Sequence, residues 1–428
     1  MFTKKTINDV DVQGKRILLR ADYNVPLTED GQVANDYRIK QSIPTLKALQ
    51  AKGAKIVVIS HLGRPQGKPD VKFSLKPVAK RLSELLEQGV KFSDDCLCAD
   101  AYKQAEALKP GEILLLENIR FYPEEEANNE EFAAKLAKYG EIFVQDGFGV
   151  VHRAHASTDA ITHCLPSVAG LLLQKEVDTI TRVMDAPERP LVAIVGGAKI
   201  SDKIDVINRF IEIADLIAIG GAMANTFLAA EGVDVAKSKI EENDVPIAKD
   251  ILAKAREKAK QERFVLYVPQ DGVVASSLDK TAPTRIVDWG THAVADIQSY
   301  PKKPDQSSLK VGENEMILDI GPFSGAFIAG SIQLANTVIW NGTMGVTEVK
   351  GLQGPVGPFA HGTDLVIDAM LGDYGHRPFS LVGGGDTVGY VEDRDLTTSF
   401  NHVSTGGGAS LDLMAGRTLP GVEALQDA

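Results

Sequence analysis

The sequence predicts an α/β protein with two doubly wound, Rossmann-like parallel sheets, the two domains joined by a helix and a cleft. Three observations predict it. Short runs rich in Ile, Leu and Val alternate with amphipathic stretches along nearly the whole chain. The runs are apolar at successive positions instead of every second one, as strands covered on both faces require. Near the middle a longer helical stretch, closed by the two prolines of "PERP", splits the alternation into halves.

In the first half the strands are "RILLRADYN", "AKIVVISH", "EILLLENIRF" and "EIFVQDGFG". The helices between them are "RIKQSIPTLKALQAKG", "LKPVAKRLSELLEQG" and "NNEEFAAKLAKYG", with apolar residues three and four apart and glycine at the stop. The connector is "GLLLQKEVDTITRVMDA". The second half reads as strand "LVAIVGG", helix "SDKIDVINRFIEIA", strand "DLIAIGG" and a helix over 223–230. Strands "RFVLYVPQ", "MILDIG", "TVIWNG", "FSLVGGG" and "HVSTGGG" follow, then a short helix "ASLDLMAG". Residues 301–308, "PKKPDQSS", read as a polar loop.

Composition narrows the function classes. The 428 residues carry a formal net charge of −12 and no basic stripe or tail, which argues against a nucleic-acid binder. Three cysteines, Cys96, Cys98 and Cys164, are too few for a disulfide framework and point to a reducing cytoplasm. No apolar stretch approaches the roughly 18 residues of a membrane span, and the N-terminus lacks a signal-peptide core. A cytoplasmic protein with no membrane partner is expected.

Open parallel sheets bind ligands beyond the carboxyl ends of their strands. There the two halves differ. The first half places Asp22, Asn24 and Arg38 around its first strand, His61 and Arg64 after the second, and Arg120 in "ENIRF". His152, Arg153 and His155 follow in "GFGVVHRAHAST". Four arginines at successive strand ends suit a small polyanion, because guanidinium pairs bidentately with phosphate or carboxylate. The second half places glycine: Gly196 and Gly197, Gly220 and Gly221, Gly321, Gly342 and Gly345, Gly383 to Gly385, and Gly406 to Gly408. Glycine lets main-chain amides approach a ligand closely, and a helix start behind it favours negative charge. Six such ends suit a nucleotide polyphosphate. Lys199 and Lys203 lie near the start of a helix, where cations oppose the dipole unless an anion compensates, with Ser201 as N-cap. Asp386 suits either a hard cation such as Mg²⁺ or the cap of the next helix. The phosphate-loop pattern G-x-x-x-x-G-K-[ST] and the dinucleotide pattern G-x-G-x-x-G are both absent.

The stretches "RADYNVP", "SHLGRP", "LLENIRF", "FGVVHRAHAST", "GGAKISDK", "GGAMANTFL", "WNGTMGV", "GGGDTV" and "STGGGAS" together resemble the phosphoglycerate kinases, in order and over nearly the whole chain. The resemblance implies a 3-phosphoglycerate-binding domain over 1–169, a connecting helix over 170–187, a nucleotide-binding domain over 188–410 and a segment over 411–428 returning to the first domain. It implies that Asp22, Asn24, Arg38, His61, Arg64, Arg120 and Arg153 bind the glycerate phosphate, with His152 and His155 flanking. For ATP or ADP it implies Gly197, Lys199, Lys203, Gly220, Gly221, Asn341, Glu348, Gly383, Gly384, Gly385, Asp386 and Thr387, with Asp386 holding Mg²⁺. Arg38, Lys203 and the amides of Gly385 and Gly408 would serve the transferred phosphoryl group. The implied activity is phosphoryl transfer between an acyl phosphate and ADP by a monomer, after hinge closure. It needs no general base, since the carboxylate carries no proton to remove. A two-domain sensor of phosphorylated metabolites that closes without chemistry is the other class compatible with the pattern. Thr343, Thr347, Ala222, Val150 and Val151 depart from the family's usual residues.

Overall fold

The computed structural model describes residues 2–294, 310–352 and 354–428; the polar loop at 301–308 lies outside them. The chain divides into two compact units. One comprises Met1–Thr181, Gly408–Leu413 and Arg417–Ala428, the other Arg182–Gly407 and Met414–Gly416. The first division falls inside the helix Leu171–Asp185.

In the first unit six strands form one parallel sheet: β1 (Arg16–Arg20), β2 (Lys55–Ile59), β3 (Lys91–Ser93), β4 (Ile113–Leu116), β5 (Ile142–Gln145) and β6 (Ser167–Ala169). Their order is β3-β4-β2-β1-β5-β6. Alternate residues feed different cores. Ile17, Leu19, Ile56, Val58, Ile113 and Leu115 enter one apolar cluster, and Leu18, Val57, Ile59, Leu114 and Leu116 enter the other. Covering helices on both faces turn every strand position into an apolar one, which is why the runs are continuous. Asp146, just past β5, is buried and its Oδ1 accepts from the Leu172 and Leu173 amides at 2.9 and 3.3 Å. It thereby caps the helix Leu171–Asp185 and fixes where that helix leaves the sheet.

The second unit has a six-stranded parallel sheet of β7 (Leu191–Val195), β8 (Leu216–Ile219), β9 (Val265–Tyr267), β13 (Thr337–Asn341), β14 (Phe379–Gly383) and β15 (His402–Val403), ordered β15-β14-β13-β7-β8-β9. A separate antiparallel sheet holds β10 (Asp271–Ala275), β11 (Arg285–Asp288) and β12 (Met316–Ile320). The run "MILDIG", expected in the main sheet, is β12 and pairs with β10 through an irregular register. The buried Asp319 within it marks the difference, for a central strand of an apolar sheet has no place for a carboxylate. The helix Leu171–Asp185 and the strands on either side of it form where the apolar pattern places them; the short helix expected to close the fold is Gly408–Met414, and a further helix, Pro420–Glu423, follows it. The sequence pattern does not reveal helices Ala99–Glu106, Pro123–Glu126, Val245–Gln261, Pro322–Gln333 and His361–Leu371, the short strands β3 and β6, or strands β10 and β11 of the antiparallel sheet.

Candidate active site

In the first unit the strand ends bring Asp22, Asn24, Arg38, His61 and Arg120 into one linked group. Arg38 Nη1 donates to Asp22 Oδ2 at 2.9 Å and to the Asn24 carbonyl at 3.4 Å. Asn24 Oδ1 accepts from the Gly63 amide, and the Gly63 carbonyl accepts from Arg120 Nη1, at 2.8 and 2.9 Å. His61 Nδ1 lies 4.0 Å from Asp22 Oδ1. Asp22, His61 and Arg120 are buried, whereas Asn24, Arg64 and Arg153 are exposed. Neither the Arg64 nor the Arg153 side chain has a partner among the described residues. His152 stands beside Gly408, where an added Cβ would lie 3.2 Å from His152 Nε2.

The electrostatics carry the mark of a cationic pocket. Burial and then the guanidinium of Arg20 hold His61 well below the ordinary histidine range, with Arg120, Arg38 and His155 adding to it. Burial, then Arg120, Arg20 and Arg153, push His155 down to about 4. His152 is lowered by burial and by Arg153. Burial first and the neighbouring guanidiniums second disfavour a proton on all three histidines, so the positive potential here comes from the arginines. An arriving anion would find fixed charge instead of titrating charge.

The glycines of the second unit fall into two sets. At Gly342, with φ of +105°, an added Cβ would sit 2.3 Å from the Gly196 carbonyl oxygen; at Gly196 it would sit 2.1 Å from that of Thr343. These two let β7 and β13 end in mutual contact. Gly220 and Gly221 likewise pack on Met344 and Gly197. At Gly385 the corresponding space is open, and at Gly197 only the Lys203 side chain borders it. Open glycines leave room for a ligand against the main chain; packed ones shape the turn that presents it.

Lys203 donates from Nζ to the carbonyls of Gly196 and Asn341, at 2.7 and 3.0 Å. Burial lowers its pKa to about 8 against the pull of Asp386 and Asp202. It is itself the N-cap of helix Ile204–Ile213. The expected cap, Ser201, does not perform that role; the Ile200 and Ser201 amides both donate to Asp244 Oδ2 at 3.0 Å. Asp386 sits in the first turn of helix Gly385–Asp393, behind the N-cap Gly384. Asn341 is 1% exposed and both its amide atoms lack a partner among the described residues. Thr387 is buried, and its hydroxyl accepts from the Gly342 amide at 2.7 Å, bracing the turn. Lys199 is exposed.

A cavity of about 420 Å³ opens beside these residues within the second unit. Gly197, Gly221, Glu348 and Asp386 line it together with apolar groups such as Leu228, Trp289 and Val349. Lys199, Lys203, Gly220, Asn341, Gly383, Gly384, Gly385 and Thr387 lie outside its lining. A mostly apolar chamber with a few polar groups suits a planar heterocycle. Among the described residues no cluster of three or more His, Cys, Asp or Glu is placed to hold a metal.

Sequence reading missed Arg20, a fully buried arginine at the last position of β1, and its buried partners Glu125 and Ser157. The signal was present: a guanidinium ending a strand that is apolar on both faces must meet polar partners inside. It also missed Asn225 and Asp319 in the cavity wall. Burial raises Asp319 to about 8, against amide bonds from Gly362 and Ile320.

A family model described as Phosphoglycerate kinase matches residues 7–417. The phosphoglycerate kinase of Chloroflexus aggregans is 45% identical over 429 residues, spanning 100% of both chains. That of Moorella thermoacetica is 43% identical over 426 residues, again spanning 100% of both. Among solved structures, phosphoglycerate kinase from Coxiella burnetii aligns with a TM-score of 0.79 and 33% identity over 98% of each chain. The enzyme from Pyrococcus horikoshii OT3 aligns at 0.80 and 30%, covering 99% of this chain and 98% of that one. Strand ends rich in arginine, strand ends rich in glycine, and agreement along the full length converge: this chain belongs to the phosphoglycerate kinase family, phosphotransferases whose acceptor is a carboxyl group.

Proposed function

We propose that the chain transfers a phosphoryl group reversibly between 1,3-bisphosphoglycerate and MgADP, giving 3-phosphoglycerate and MgATP. The observation that carries this reading is the pair of contrasting strand ends, a guanidinium-lined group in one unit and glycine-rich turns beside a largely apolar cavity in the other. Asp22, Asn24, Arg38, His61, Arg64, Arg120 and Arg153 bind the phosphoglycerate. The exposed Arg64 and Arg153 are available for the ligand's fixed phosphate, while Arg38 and Arg120 are already oriented by Asp22 and Gly63.

Glu348 and Gly221 hold the nucleoside in the cavity, with Gly220 shaping the slot behind it. Gly197, Lys199, Asn341, Gly383, Gly384 and Thr387 form or brace the phosphate seat. The unpaired Asn341 Nδ2 fits that role, since a phosphate oxygen would supply its missing acceptor. Asp386 fits a magnesium ion that arrives with the nucleotide: one exposed carboxylate on the cavity wall is the usual protein share when phosphates and waters complete the shell. When bound, the ion neutralises phosphate charge. Lys203 leaves its two carbonyls for the moving phosphoryl group, and Arg38 meets it from the other substrate. The Gly385 and Gly408 amides donate to its oxygens. Catalysis is alignment and charge neutralisation, with water excluded by hinge closure of the monomer.

A coupled assay with 1,3-bisphosphoglycerate and MgADP tests the reading. ATP formation that depends on both substrates is expected. Binding of both without turnover would instead make the protein a sensor.

A further inference from the structure

Arg20 lies beneath the arginine-lined group rather than in it. Its side chain is fully buried, and each part of the guanidinium has a partner. Nε donates to Ser157 Oγ at 2.8 Å, Nη1 donates to the Ala21 carbonyl, and Nη2 lies 3.2 Å from His61 Nδ1. Ser157 Oγ in turn donates to Glu125 Oε1 at 2.6 Å, so a buried carboxylate anchors the far end. A guanidinium has only donors. At the contact with His61 the imidazole nitrogen must therefore accept, and an accepting ring nitrogen carries no proton. Asp22 Oδ1, at 4.0 Å from the same nitrogen, is too distant to compete for it.

We propose that Arg20 is a positioning residue for the phosphoglycerate site: it fixes His61 as a neutral imidazole whose single N–H is on Nε2, so that His61 offers the ligand a hydrogen-bond donor and not a titrating cation. This rests on the phosphoglycerate reading of the strand ends given above. The surroundings act in the same direction. Burial opposes a proton on His61 most, and Arg20, Arg120, Arg38 and His155 add to it; the Asp22 carboxylate, 4.0 Å away, pulls the other way, and the buried Glu125 carboxylate stands beyond, against Ser157 and His155. The arrangement makes the donor constant across the neutral range.

Long-range ¹⁵N–¹H correlation spectra of the full chain, labelled in histidine and assigned with His61→Gln, test this directly. The expected result is an unprotonated Nδ1 and a protonated Nε2 on His61, unchanged from pH 6 to 8. A proton on Nδ1, or titration inside that window, overturns the proposal. Two substitutions extend the test. His61→Gln, whose amide reaches the Nε2 position, is expected to keep a KM for 3-phosphoglycerate about tenfold below that of His61→Asn, roughly the worth of one charge-assisted hydrogen bond. Equal values overturn the proposal. Arg20→Lys keeps the charge without the fork; it is expected to raise that KM and leave the KM for ATP unchanged, and a parallel rise in both counts against it. If Arg20→Lys does not fold, the wild-type spectra still decide. Adding 3-phosphoglycerate separates this proposal from its premise: an unperturbed His61 signal removes the site reading itself, whereas a perturbed signal with the proton on Nδ1 removes only the role of Arg20.

Discussion

In the first unit the strand ends carry long charged or polar side chains, several of them braced by another residue while Arg64 and Arg153 stand exposed. Asp22 holds Arg38, Gly63 holds Arg120 and Asn24, and Arg20 holds His61. In the second unit the strand ends carry almost no side chain. Gly196 and Gly342 let the main chain close on itself, and the principal cation, Lys203, rests on carbonyls. On the proposed reading, the first unit recognises by charge on oriented side chains and the second by the space that absent side chains leave. The two sites therefore break under opposite kinds of substitution, removal of charge in one and addition of a methyl group in the other.

The largest effect belongs to the packed glycines. Gly342→Ala forces a Cβ to within 2.3 Å of main chain at a positive φ, and should destabilise by about 3 kcal/mol or more in urea unfolding and abolish ATP turnover. A normally stable, active Gly342→Ala would erase the distinction between the units. Charge removal comes next. Arg38→Ala and Lys203→Ala should each lower kcat about a hundredfold or more, with smaller losses in stability. Near-normal turnover in both would end the role assignments. Gly385→Ala isolates the open set: with no atom nearby, it should unfold within about 0.5 kcal/mol of wild type while the KM for ATP rises about tenfold.

Titration gives the finer effects. His155 has a folded pKa near 4, below the ordinary 6.5. Between those values the unfolded chain binds the proton and the folded chain does not, so its contribution to stability declines as pH falls from 6.5 to 4. Urea midpoints of wild type and His155→Gln should converge over that window; a constant gap would remove the effect. Lys203 gives the smallest signal. A phosphate beside it should raise its pKa from about 8 toward the ordinary 10.5, so nucleotide binding near pH 8.5 should take up protons. Calorimetry in buffers of different ionisation enthalpy would reveal the uptake, and proton release would contradict it.

The parallel sheets were legible because burial on both faces writes itself into a sequence as continuous apolar runs. β3 and β6 escaped because three residues make no pattern. Helix Val245–Gln261 escaped because its buried face is largely alanine, Ala248, Ala255 and Ala259 beside Ile251 and Leu252, and contrasts weakly with the lysines opposite. The arginines and glycines of the proposed sites were legible as recurring residue types at strand ends. Their supports were not. Asp244 caps amides 43 and 44 positions earlier, and Glu125 anchors Ser157 across 32. Such partners are fixed by topology, which no local window contains.

The discontinuity of the first unit has a consequence for synthesis. Gly408–Leu413 and Arg417–Ala428 belong to it, although the second unit's main stretch, Arg182–Gly407, is translated before them. Those late residues tie down early ones: the Gly421 amide donates to the Val151 carbonyl, Gln426 bonds both Lys5 and Ser167, and Lys4 pairs with Asp427. On the ribosome the later-begun unit can therefore mature first, while the earlier one waits, nearly assembled, for its last strip of chain.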